Sequence, residues 1–261
     1  MKLQYIQSKN NELLKQIRKL KEKKYRDKNN MFIVEGIRFV EEAIKSCFII
    51  KYIFISEEIN DNHRVRDMLN NVDSQVKLYS VSSDILKTLC NTENPQGIIA
   101  IVENRNIILK DEEGFLIFVD KVQDPGNMGT IIRTAHAAGA LGIILRKGTV
   151  DVFNEKTLRS TMGSIFHVPI NYDKYIDYLN ELKNKDYRII SSYLQTNKNF
   201  YDLNLKQKVV LIVGNEGNGI SDEVIDISDE LVRLPMPGNA ESLNVAVCAG
   251  IMMYEVVRQI L

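Results

Sequence analysis

The chain has 261 residues, 44% hydrophobic and 26% charged, with 34 basic side chains balancing 34 acidic ones. That composition excludes a disordered chain and a histone-like polycation, and no apolar run approaches the ~20 residues of a membrane helix. A polar, basic N-terminus gives no sign of a secretory leader, and three widely spaced cysteines (Cys47, Cys90, Cys248) read as small buried hydrophobes of a reducing, cytoplasmic setting, not as metal ligands.

The charge is uneven. Residues 9–28 hold Lys9, Lys15, Arg18, Lys19, Lys21, Lys23, Lys24, Arg26 and Lys28, opposed by Glu12, Glu22 and Asp27. Residues 8–25 read as one helix, with Leu13, Leu14, Ile17 and Leu20 as its apolar stripe. Its basic face is either solvated or laid against phosphates. MFIVEG (31–36) follows as a strand, with turn chemistry at Glu35 and Gly36, then a helix over 36–46 and the strand FIIKYIFIS (48–56). A helix near 62–71, with His63 on its surface, a strand at 76–81, a helix at 82–90 and the strand GIIAIVE (97–103) complete the first series. Strands alternating with helices imply an α/β domain with a largely parallel sheet. The polar stretch NRNIILKDEE (104–113) fits a linker, which bounds a first domain at 1–106, a linker at 107–113 and a second domain at 114–261.

A second alternating series begins with the strand FLIFVD (115–120) and a helix over 127–139, in which His136 is an ordinary helix residue. LGIILR (141–146) is a strand, 154–161 a helix, and Ile165–Ile170 a short strand holding a structural His167. A helix over 173–184, the strand YRIISSYL (187–194), the strand VVLIVG (209–214) and a short helix near Ser221 lead to LVRLPMPGNAESLNVAVCAG (231–250). There Pro235 and Pro237 forbid regular structure, Gly238 and Asn239 suit positive φ, and Ser242 suits an N-cap. The helix beyond it is apolar almost all round through Met253, which predicts burial on every side, with Ala246, Ala249 and Gly250 offering a face to a second subunit. Tyr and Phe residues are scattered, so no stacking platform is visible.

Three Gly- or Pro-rich turns therefore follow strong strands: residues 120–140, GNEGNGIS (214–221) and the closing stretch. Ligands collect at the C-terminal ends of strands in such sheets. None of the turns is a P-loop or a Rossmann fingerprint.

In order, NMGTIIRTA, GNEGNGIS and LPMPGNAESLNVAV resemble the three motifs of the SpoU/TrmH family of RNA ribose 2′-O-methyltransferases, a branch of the SPOUT superfamily. The resemblance covers 114–261. KYRDKNNMFIVEGIRFVEEAI and NPQGIIAIV resemble more loosely the family's N-terminal substrate-binding domain. It implies a C-terminal α/β domain with a mostly parallel sheet and a deep trefoil knot, preceded by a smaller L30e-like α/β domain. It also implies S-adenosylmethionine as cofactor, no metal, a homodimer, and RNA as substrate, ribosomal before transfer RNA. Arg133, Glu216, Asn127, Ser242 and Asn244 match its catalytic motif positions. Val213, Gly214, Asn215, Gly219, Leu234, Met236, Gly238 and Leu243 match those around the cofactor. Ala246 and Cys248 depart from a common serine and alanine. Arg133, a poor general base because it is a guanidinium, stabilises charge or takes a proton transiently. Glu216 orients Arg133 or the substrate, or is a charge near a helix N-terminus; Asn127 fixes its loop, reaches the ribose or caps its helix. A non-catalytic RNA-binding or ribosome-assembly protein and a base methyltransferase are the rival readings.

Overall fold

The computed structural model describes residues 3–109, 112–238 and 240–261. Packing divides the chain into two units: residues up to Arg105 with Phe153–Leu158, and Asn106–Val152 with Arg159–Leu261.

The first unit holds strands β1 (Gln4–Ile6), β2 (Met31–Glu35), β3 (Ile49–Ser56), β4 (Lys77–Val81) and β5 (Ile98–Glu103), ordered β1-β4-β3-β5-β2. The β1–β4 and β4–β3 pairs are parallel, while β3–β5 and β5–β2 are antiparallel. The sheet is thus mixed, not largely parallel. Buried along its length, β5 needs a neighbour on each side; its Ile-Ile-Ala-Ile-Val run encodes that burial but not the direction of travel. Strand β1 escapes the sequence reading because three residues with one inward side chain, Ile6, carry no period.

Helices α1 (Glu12–Lys19), α2 (Lys23–Asn29), α3 (Ile37–Lys45), α4 (His63–Asn70) and α5 (Ser83–Leu89) cover this sheet. The single helix expected over 8–25 is two. Asn11 caps α1 by accepting from Leu13 N at 2.9 Å. At its other end the buried Arg26 guanidinium reaches back from α2 to the carbonyls of Leu20 (2.9 Å) and Lys21 (2.7 Å), which satisfies groups a helix end leaves open. Leu14, Ile17 and Leu20 enter the core with Phe54, Leu86 and Ile101, as the stripe predicts, whereas Leu13 is only partly covered.

The second unit holds β6 (Phe115–Val119), β7 (Gly142–Arg146), β8 (Ile170–Asp173), β9 (Arg188–Ser192), β10 (Val209–Val213) and β11 (Glu230–Val232), ordered β11-β9-β10-β6-β7-β8. Every pair is parallel. Central strands β6 and β10 are buried throughout, as unbroken apolar runs require when both faces are covered. Between β7 and β8 the chain carries α7 (Glu155–Thr161), whose residues up to Leu158 count with the first unit; α6 (Pro125–Ala137), α8 (Asp177–Asn184), α9 (Asp222–Ile227) and α10 (Val245–Ile260) are the helices of the second. The strand expected at 165–170 is a 3-10 turn, Ser164–Phe166, followed by pairing only from Ile170. Pro169 lacks the N–H that an earlier start would use. Residues 104–109 of the expected linker carry neither helix nor strand, and Lys110 and Asp111 lie outside the described residues.

Helix α10 is not buried on every side. Ala246, Ala249, Met252, Met253 and Val256 are buried, and the helix packs on α6 and β10. Val247 and Tyr254, each 51% exposed, lie on the outer side. Ala246 and Ala249, expected on the face open to a partner, are instead covered by their own chain. A helix whose residues are all apolar carries no phase to say which side faces in.

Candidate functional site

The loop after β6 begins with a strained residue. Lys121 sits at φ 62°, a conformation costing about 1–2 kcal/mol outside glycine. Its N–H donates to Thr149 Oγ1 (3.2 Å), and its carbonyl accepts from Asn215 Nδ2 (2.8 Å) and Gln123 Nε2 (3.2 Å). Asp124 then caps α6, accepting from Asn127 N at 2.8 Å, with Pro125 in the first turn. The cap is therefore Asp124, and Asn127 stands one turn inside the helix.

That position frees the Asn127 side chain to join the three turns. Its Nδ2 donates to Glu216 Oε1 at 3.0 Å, and its Oδ1 accepts from Asn244 Nδ2 at 2.9 Å. Glu216 also accepts from the backbone N–H groups of Gln123 (3.0 Å) and Asp124 (3.1 Å). Burial pushes the Glu216 carboxyl up, but the Asn127 amide and these backbone donors outweigh it and hold it below the ordinary carboxylate value. At the other end Asn244 Oδ1 accepts from Ala246 N (2.9 Å) and Val247 N (3.3 Å). Asn244 is thus the N-cap of α10, a place expected for Ser242. Ser242 is exposed, two residues short of the helix.

The middle turn folds on itself. Asn215 and Gly219 exchange backbone hydrogen bonds of 2.8 and 2.9 Å, and Asn215 Oδ1 accepts from Gly217 N and Asn218 N. Gly219 takes φ +69°, and a Cβ on Gly214 would stand 2.3 Å from the Gly219 carbonyl carbon. Only glycine fits at 214.

Beneath these turns lies a pair that sequence reasoning missed. Asp120, 1% exposed, accepts from Ser221 N at 2.7 Å and pairs with Arg146 Nη1 at 3.1 Å. Arg146 also bonds Ser221 Oγ and the Glu223 carboxylate. The signal was legible: each closes an apolar strand with a charge at the end where ligands collect.

Val213, Gly214, Asn215, Gly219, Leu234, Met236 and Leu243 line one cleft of about 520 Å³, together with Glu216, Ser242 and Asn244. Glu241, Arg233, Ser192 and Cys248 also line it, without having been expected. Cys248 has its thiol pushed up by burial, against a hydrogen bond with Ser192 Oγ at 3.3 Å. Gly238 lies outside this lining and does not take a positive φ; Asn239 lies outside the described residues.

Arg133 stands apart. Six residues beyond Asn127, its side chain leaves α6 about 120° around the axis. It is exposed and has no hydrogen bond or ion pair among the described residues. The described bonds of Glu216 go to Gln123, Asp124 and Asn127, not to Arg133. His136 and His167 form a separate pair, their rings stacked at 4.7 Å.

Against known proteins, residues 114–254 match the SpoU rRNA Methylase family and residues 11–100 the MRM3-like substrate binding domain. Over 252 residues the chain is 38% identical to the 23S rRNA (guanosine(2553)-2'-O)-methyltransferase RlmP of Bacillus subtilis (strain 168), covering 97% of this chain and 98% of the relative. The AdoMet-bound rRNA methyltransferase from Sinorhizobium meliloti superposes with a TM-score of 0.90 at 34% identity, covering 99% of each chain. The SpoU methyltransferase AviRb from Streptomyces viridochromogenes, in complex with the cofactor AdoMet, gives 0.88 at 27% identity over 96% of this chain and 98% of that one.

Proposed function

The chain belongs to the SpoU rRNA methylase family, and from that premise we propose that it methylates the ribose 2′-hydroxyl of a guanosine in 23S ribosomal RNA. The enzyme class is RNA 2′-O-methyltransferase, with S-adenosylmethionine as cofactor and ribosomal RNA as substrate. The observation that carries the reading is the hydrogen-bonded string Glu216–Asn127–Asn244, which ties the three motif turns to one cleft.

The cleft suits the cofactor. Its volume lies within the roughly 300–1,000 Å³ of ligand pockets. Leu234, Met236, Leu243 and Val245 offer an apolar wall for adenine, and Glu216 and Glu241 bring negative charge to a ligand that carries a sulfonium and an ammonium. When bound, S-adenosylmethionine supplies an activated methyl group.

The chain's own residues hold and orient. Glycines 214, 217 and 219 bring backbone close to the ligand, and Asn127 fixes the approach of its helix. Arg133 acts electrostatically, gripping a phosphate of the RNA and steadying the developing alkoxide. Its exposure supports that role. Replacing Arg133 with Ala should leave cofactor binding intact by calorimetry and lower transfer at least a hundredfold.

Three further parts belong to the proposal. The segment from β11 to α10 threads a trefoil knot; the return of the chain from the sheet edge at β11 to pack α10 on α6 supports it. The outer side of α10, with Val247 and Tyr254, joins two copies into a homodimer in the cytoplasm. The N-terminal unit is L30e-like and selects the RNA, as its match to a substrate-binding domain supports. Mapping ribose methylation over 23S and transfer RNA, with and without the gene, tests the reading. Loss of one guanosine 2′-O-methyl mark in 23S RNA is expected; an unchanged ribosomal map with a lost transfer-RNA mark refutes it.

A further inference from the structure

The basic residues of the first two helices fall into two groups. Arg18 donates to Thr88 Oγ1 (3.0 Å) and to the Lys9 carbonyl (2.9 Å), Lys21 to the Cys90 carbonyl (2.6 Å), and Arg26 staples α1 to α2. Lys15 pairs with Glu12 at 2.7 Å and Lys9 with Asp84 at 3.7 Å. Lys19, Lys23, Lys24 and Lys28 have no hydrogen bond or ion pair among the described residues.

Two of these four lysines, Lys19 and Lys28, line a pocket of about 290 Å³ together with Tyr25, Tyr52 and Gln16. Its floor reaches the core at Ile101. The tyrosines are 27 positions apart in the chain, which is why no stacking surface shows in the sequence. Both rings are only partly covered. The ammonium groups of Lys19 and Lys24 lie 5.5 and 5.9 Å from the centroid of the Tyr25 ring. An apolar floor, aromatic walls and a positive rim are what an unstacked nucleotide needs: a π-face for the base and cations for its phosphates. At the lower limit of ligand pockets, roughly 300 Å³, the volume suits one base and not a larger cofactor.

We propose that the pocket between Tyr25 and Tyr52 takes one unstacked nucleobase of the RNA substrate, with Lys19 and Lys28 on the flanking phosphates. The site rests on the ribosomal-RNA reading above and adds to it a contact point remote in sequence from the three motifs. Gln16, an amide with a donor and an acceptor, is the side chain to read the edge of the base.

The test uses the full chain and a labelled 23S RNA fragment that spans the mapped mark. Tyr25→Leu should weaken binding and raise KM roughly tenfold, the order expected for one lost stack, with kcat and S-adenosylmethionine affinity unchanged. Tyr25→Phe keeps the ring and should bind as the parent does. Lys19→Gln and Lys28→Gln should each reduce the salt dependence of binding by about one phosphate contact. Parent-like binding by Tyr25→Leu and by both lysine variants overturns the pocket and leaves the methyltransferase reading standing. Equal losses in Tyr25→Phe and Tyr25→Leu also overturn it, since the hydroxyl and not the ring would then matter. A parent protein that takes up S-adenosylmethionine but neither binds nor methylates the fragment overturns both.

Discussion

The two units treat their polar side chains in opposite ways. Around the cleft of the parallel-sheet unit, Glu216, Asn215, Asn127, Asn244 and Asp120 are all tied to other parts of that unit. In the mixed-sheet unit four lysines on one pair of helices, Lys19, Lys23, Lys24 and Lys28, have no hydrogen bond or ion pair among the described residues. The first arrangement fixes a backbone shape in advance, as a site that must align reacting atoms requires. The second leaves charge available to a polyanion, at the cost of sensitivity to salt.

Substitutions should separate the two arrangements sharply. The largest effect is expected from Asp120→Ala, which removes the buried carboxylate paired with Arg146, leaving it Ser221 and the exposed Glu223, and takes the acceptor from the Ser221 N–H. Breaking such a pair costs about 3–5 kcal/mol, and denaturant unfolding should register it; a loss below about 1 kcal/mol would mean that the pair behaves like a surface bridge. Next comes Gly214→Ala. Its Cβ meets Gly219 and Ile220 backbone at 2.3 to 2.5 Å, an overpacking of about 1–3 kcal/mol. Cofactor affinity by calorimetry should fall about tenfold, and retained affinity would show that the turn yields.

Glu216→Gln should act through pH. The folded carboxyl titrates below its ordinary 4.5, because the Asn127 and backbone donors outweigh burial. Its contribution to stability is therefore complete above about pH 4.5 and drains away as pH falls through the lowered value. The variant should lose that acid limb in melts across this range, and an unchanged acid limb would detach Glu216 from the string. The smallest effect on stability is expected from Lys23→Gln with Lys24→Gln. Melting should move by less than about 0.5 kcal/mol, while the salt slope of RNA binding drops by up to about two. A large melting shift would show that these lysines hold the fold after all.

The sequence made most strands legible, because parallel central strands such as β6 and β10 are unbroken apolar runs between turn residues. It also brought out the three turns, through their glycines and prolines. The partners of the amide string were hidden, since 89 residues separate Asn127 from Glu216 and 117 separate it from Asn244. No local period spans such distances. The N-cap of α10 differs from the expected Ser242 for a related reason: Ser242 and Asn244 are both good caps, and the long-range bond to Asn127 that helps hold the Asn244 side chain leaves no local trace. Likewise the Arg26 staple that splits the first helix depends on a turn that periodicity reads straight through.

A carboxamide has two unlike ends, and Asn127 uses both. Its nitrogen faces Glu216 and its oxygen faces Asn244, so a half-turn of the amide would set donor against donor at one end and acceptor against acceptor at the other. The string therefore reads in one direction only, and the carboxylate sets that direction. Asn244 inherits its orientation from Asn127 and passes it to the first N–H groups of α10. An error made at residue 216 is thus copied to the start of the last helix without any movement of the backbone between them.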